Sequence, residues 1–170
     1  METKILESIA YILPATITGL VAYYMFNGFV KHKNSEKKLE VLAAQKKEGL
    51  PIKLQACERL LLLCDRINPV KMLLRVPPIS ENTSDYLQLL IANIEQEFAH
   101  NLVQQIYISE ATWTAIYAAK NAVINKLKQI AQNAASANDF REKMLIEYSK
   151  STPPTETAID FIKNEVRKLL

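Results

Sequence analysis

Ser8 to Val30 reads SIAYILPATITGLVAYYMFNGFV, 23 consecutive positions without an Asp, Glu, Lys, Arg or His. A bilayer core of about 30 Å takes roughly 20 mainly apolar residues in helical form. The run therefore predicts one transmembrane helix over residues 8–30, with the rest of the chain hung from it. A cleaved signal peptide competes for the same stretch. It would want a basic flank, an apolar core of about 7–15 residues and a small-x-small cleavage site. Here the flank METKILE holds two acids against one lysine, the run is longer, and no Ala-x-Ala follows.

The residues beside the run set its expected orientation. Lys31, Lys33, Lys37 and Lys38 follow it closely, and only Lys4 precedes it. Basic residues stay on the cytoplasmic side, so residues 1–7 are expected outside and the C-terminal body in the cytoplasm. The four lysines are candidates for membrane-surface contact, although a topology signal is the plainer reading. Tyr11 near one end, and Tyr23, Tyr24 and Phe26 near the other, suit interfacial anchors. Ala15 and Gly19 make a small-xxx-small pair, a candidate helix-dimer face through which a homodimer could form, although such pairs are common by chance. Pro14 lies near the end of the span where a missing N–H does least harm.

Residues 31–170 are enough for one ordinary domain with a real core. The formal net charge is +3, and the surplus is too small and too scattered to argue for nucleic acid. Gly19, Gly28 and Gly49 are the only glycines, which leaves few turn glycines for hairpins or phosphate-cradling loops and favours helices. Cys57 and Cys64 fall seven residues apart on one expected helix. Their Cα atoms would lie about 10 Å apart, beyond disulfide reach, so both are expected as reduced thiols.

The division that follows is a short N-terminus at 1–7, the span at 8–30, a basic juxtamembrane stalk at 31–49 and an all-α domain at 50–170. In the stalk, EKKLEVLAAQKKE forms a helix expected to end at Gly49 and Pro51. Ile52 to Ile67 is the expected centre of the fold, striped by Leu54, Cys57, Leu61 and Cys64 and widened by Leu60, Leu63 and Ile67. Asn68 suits an N-cap and Pro69 the first position of a short helix closed by Pro77-Pro78. A long helix follows from about Asp85 to Ile108, with Leu87, Leu90, Ile91, Ile94, Phe98, Leu102 and Ile106 on one stripe. Ser109 caps the next, about Glu110 to Gln132, with Trp113, Ile116, Tyr117, Val123, Ile124, Leu127 and Ile130 on one side. So short a break makes the pair an antiparallel hairpin. Asp139 to Tyr148 and a last helix carrying Ala158, Ile159, Ile162, Val166 and Leu169 complete the bundle.

Chemistry-bearing patterns are sparse. Glu97 and His100 have the Glu-x-x-His spacing of di-iron bundles, but such sites need two of these motifs and more carboxylates. The other histidine, His32, lies beside the apolar run, and a solvated His100 is the reading adopted. No metal ligand set, cofactor motif or catalytic constellation emerges: there is no P-loop, no G-x-S-x-G and no histidine placed as a base. Lys120 lies on the apolar stripe of its helix. In a hairpin folded near Ser109 it stands opposite Phe98, within reach of Glu97 or Glu95. A partly buried structural ion pair, Lys120 with Glu97, is therefore expected; an active-site lysine is the alternative. Lys120→Met should change stability in the first case and ligand binding in the second. Leu62, Tyr107 and Tyr117 are candidates for a partner surface.

KLQACERLLLLCDRINPVKMLLRV (Lys53 to Val76) and EQEFAHNLVQQIYIS (Glu95 to Ser109) resemble a family of small bacterial proteins of unknown function. The resemblance implies one N-terminal anchor, a helical cytoplasmic domain and a bacterial inner-membrane location, and no functional residues. The expected function is a membrane-anchored helical interaction or scaffolding module, touching lipid through residues 8–30 and an unidentified protein partner. The alternative is a membrane-tethered enzyme or small-ligand binder with Lys120 and Glu97 as the polar groups of a pocket between helices.

Overall fold

The computed structural model describes the backbone of residues 2–170, and the side chains of all but residues 1–15, 35, 39 and 42–47. Six α-helices follow one another: α1 (Glu2–Arg66), α2 (Pro69–Arg75), α3 (Thr83–Asn101), α4 (Glu110–Ala131), α5 (Ala137–Lys150) and α6 (Pro154–Leu169), with a 3-10 helix, Leu102–Tyr107, between α3 and α4. No strand occurs among the described residues. The chain divides into two compact units, Met1–Gly49 and Leu50–Leu170.

In the first unit Ile17, Leu20, Val21, Tyr23, Tyr24, Met25, Phe26 and Phe29 are all exposed. Among the described residues, no helix is long and apolar enough to cross a membrane. From Thr16 to Val30 the stretch is uncharged but not uniformly apolar. Thr16, Thr18 and Asn27 interrupt it, and Lys31, His32 and Lys33 close it. That finding overturns the transmembrane helix expected over residues 8–30, and with it the single-pass, inner-membrane location. The side chains of Ser8 to Ala15, including the Ala15 half of the small-residue pair, lie outside the described residues. Gly19 has open space around it. Lys31, Lys33, Lys37 and Lys38 are exposed; Lys33 lies 5.4 Å from the centre of the Phe29 ring, and His32 lies 3.8 Å from Glu36 one turn on.

A second expectation fails at Gly49 and Pro51, where the helix continues to Arg66. Pro51 forfeits one i→i−4 hydrogen bond but keeps a helical φ, and no described residue has a positive φ that would turn the chain out.

The core of the second unit begins on α1 with Cys57, Leu60, Leu63, Cys64 and Ile67. Asn68 Oδ1 accepts from the N–H groups of Val70 and Lys71 at 3.1 and 3.4 Å, and Pro69 follows, so α2 starts as its sequence dictates. Met72 and Leu73 of α2 are buried. Arg141 of α5 donates to the Leu73 carbonyl at 3.1 Å. Tyr86 of α3 donates its hydroxyl to Val76 O at 2.7 Å and meets Phe140 of α5 edge-on, the ring centres 5.8 Å apart. Asn82, Ser109 and Ser136 cap α3, α4 and α5.

Pairwise contacts fix the directions of the helices. Glu95 meets Lys120, and Phe98 meets Trp113 and Tyr117, so α3 and α4 run antiparallel. Ser109 and Thr112 at the start of α4 meet Glu165 near the end of α6. At the other end Asn68 meets Thr155 near the start of α6. Thus α6 runs antiparallel to α4 and to the Leu50–Arg66 part of α1. The hairpin is present, but α4 packs against α6 more extensively than against α3.

The expected stripe of α3 ends early. After Asn101 the backbone tightens to three residues per turn, which rotates Leu102 and Ile106 off the stripe and leaves both exposed.

Two substitutions test this core. Phe140→Ala should cost about 3–5 kcal/mol through the cavity it leaves. Tyr86→Phe should cost only about 1 kcal/mol, for one carbonyl left unpaired. Urea unfolding followed by circular dichroism measures both.

Candidate functional site

A charged side chain rarely enters a helical core without a partner, and Lys120 is 7 % exposed. Its ammonium lies 2.9 Å from both carboxylate oxygens of Glu95. It also sits 4.6 Å from the centre of the Phe98 ring and 5.4 Å from that of Tyr117. The cation is therefore held by one acid and two aromatic faces, each favourable to positive charge. Burial in the pair is one-sided: the Glu95 side chain is half exposed, at 50 %.

The expected Lys120–Glu97 pair is corrected by this geometry. On a helix, Glu95 lies about 60° around the axis from Phe98, and Glu97 about 100° away on the other side. Glu95 thus shares the Phe98 face that meets α4. Glu97 turns toward α1, where Arg66 Nη1 donates to both its oxygens at 3.0 and 3.1 Å. The two acids staple α3 to different neighbours. His100 is exposed, and no group of His, Cys, Asp or Glu among the described residues is arranged to hold a metal ion.

A second polar cluster lies at the start of α4 and was not foreseen. Glu165 of α6 accepts from Ser109 N at 3.2 Å, from Thr112 Oγ1 at 2.8 Å and from the Ser109 hydroxyl. Partial burial pushes the Glu165 carboxyl up. The hydrogen bonds from Ser109 and Thr112, helped by Lys168, outweigh that and hold it below the usual carboxylate range. The acid also complements the positive end of α4. The only trace of this in the sequence is an ordinary glutamate near the end of the last helix, and its partners lie 53 and 56 residues away.

Cys57 and Cys64 are free and buried. Burial pushes both thiols up, Cys64 to about 12, with Glu165 acting on the first and Glu156 on the second. Neither has the lowered pKa of a reactive thiol. Every buried side-chain polar atom among the described residues has a hydrogen-bond partner.

Along the outer side of α4, Ala111, Ala115, Ala118 and Ala122 line up at 3-4 spacing. Together with Pro154, Thr157 and Phe161 of α6 they border an open apolar groove of about 410 Å³. Leu62, Tyr107 and Tyr117 are also exposed.

The model of a family of unknown function, DUF7935, matches residues 3–169. No curated protein and no solved structure matches the chain.

The one-sided burial of the Lys120 pair predicts an asymmetry. Glu95→Gln strands a buried cation and should cost about 1–3 kcal/mol. Lys120→Met leaves Glu95 solvated and puts an apolar chain on the rings, so it should change stability by less than about 1 kcal/mol. Equal losses in urea unfolding would contradict this. For Glu165 the sign follows from its lowered folded pKa: the stabilisation is present above the unfolded carboxylate value, about 4.3, and is lost as pH falls through the folded value. Glu165→Gln should therefore cost about 1 kcal/mol at neutral pH, and the gap from wild type should close in unfolding curves taken at progressively lower pH.

Proposed function

We propose that this chain, which belongs to the family of unknown function DUF7935, is a helical protein-interaction module whose binding face is the groove between α4 and α6. The observation that carries the reading is an apolar groove with an alanine wall and a half-exposed phenylalanine, Phe161, open to solvent. Small side chains let a second backbone come close, and the space they leave takes bulky apolar side chains. This suits an amphipathic helix of a partner protein lying along the groove.

The enzyme or small-ligand reading needed Lys120 and Glu97 on one cavity. Lys120 is engaged by Glu95 and Glu97 by Arg66, so neither is left aimed at a ligand. The buried polar groups of the unit are likewise engaged with one another, as with Asn68 and Thr155.

The test is to fill the groove. Ala118 is exposed, so Ala118→Arg should leave the unfolding curve within about 0.5 kcal/mol of wild type. Photocrosslinking in cells from position 157 should capture a discrete partner with wild type and lose it with Ala118→Arg, while Lys128→Glu, outside the groove, should retain it. A partner retained by the filled groove, or none captured by wild type, overturns the assignment.

A further inference from the structure

Helix α6 is seated differently from the others. Among its 16 residues only Thr155, Ala158 and Ile162 are buried, so a single large side chain is fully in the core. Ile159, Val166 and Leu169 also pack against the core but are only partly buried, so most of the apolar edge of α6 stays near its surface. No side chain caps its first turn, whereas α2, α3, α4 and α5 all have such caps. What fixes it is polar, one contact near each end. Asn68 Nδ2 donates to Thr155 Oγ1 at 3.3 Å, and Glu165 accepts from Ser109 and Thr112. Cys57 and Cys64 stand eleven and four positions before Asn68, which at helical spacing puts them on the side of the chain where Asn68 meets Thr155 of α6, and both are buried. Three residues, Ser151 to Pro153, join α6 to α5.

We propose that α6 is a latched strap. It opens as a unit while the rest of Leu50–Leu170 stays folded, with the Glu165 and Thr155 contacts as its two latches. Opening uncovers both cysteines and the faces of α1 and α4 that α6 protects. It also dismantles the α4–α6 groove, because Pro154, Thr157 and Phe161 leave with the strap. The proposal does not depend on what occupies that groove.

The two thiols are built-in reporters, since each is 1 % exposed or less with α6 in place. The experiment follows alkylation of Cys57 and Cys64 in the full chain by iodoacetamide and peptide mass spectrometry, across a series of low urea concentrations. Opening of a small unit exposes little surface, so its rate should depend only weakly on urea, in contrast to global unfolding. Glu165→Gln should raise the low-urea rate about fivefold, the change that losing this contact brings. Thr155→Val, a milder change at the other latch, should raise it in the same direction and serves if the first variant fails to fold. Phe140→Leu, in α5 and away from the strap, should lower global stability and leave the low-urea rate unchanged. Alkylation that follows the global unfolding curve at every urea concentration, or that neither latch variant accelerates, overturns the strap.

Discussion

The seating of α6 in the second unit depends on how closely it can lie against α4. Backbones approach only where side chains are small, and α4 presents Ala115 and Ala119 beside the groove that Ala111, Ala118 and Ala122 leave open. The next faces of the same helix carry Ile116, Val123, Ile124 and Leu127 into the core. A helix in contact with α3, α5 and α6 presents a broad buried arc, and its one buried charge, Lys120, falls inside that arc. The neighbours then have to supply an acid and two aromatic rings at that level.

What could be read from the chain was what is local. Asn68-Pro69 starts a helix because an amide side chain accepts from the first free N–H groups and proline costs nothing at the first turn. Ser109 does the same for α4. Leu90, Ile94 and Phe98 carry the α3 stripe into the core because 3-4 spacing keeps them on one face. That Lys120 would need an acid from the facing helix was legible from its place on an apolar stripe. Which acid depended on helical phase, and Glu95 shares the Phe98 side where Glu97 does not.

What could not be read depends on partners far along the chain or on backbone choices with small energy differences. Glu165 looks like an ordinary surface acid until α6 is laid against the start of α4. Pro51 reads as a stop signal because proline usually is one, yet here the helix continues past it at the cost of one hydrogen bond. Residues 102–106 keep the periodicity of an α-helix, and only the tighter 3-10 winding exposes them. The uncharged run of residues 8–30 shows how far absence of charge alone can carry a reading. Thr16, Thr18 and Asn27 dilute its apolar character, and Lys31, His32 and Lys33 close it.

The 3-10 segment has one further implication, for how chain length can vary. None of its side chains is buried, and it joins two helices whose inward stripes are set by their own neighbours. Adding or dropping a residue between Leu102 and Tyr107 changes the winding of an exposed connector and moves no core side chain out of register. Within α3 or α4 the same edit would rotate everything beyond it by about 100°. Relatives of different length can absorb the difference in this connector with the core undisturbed.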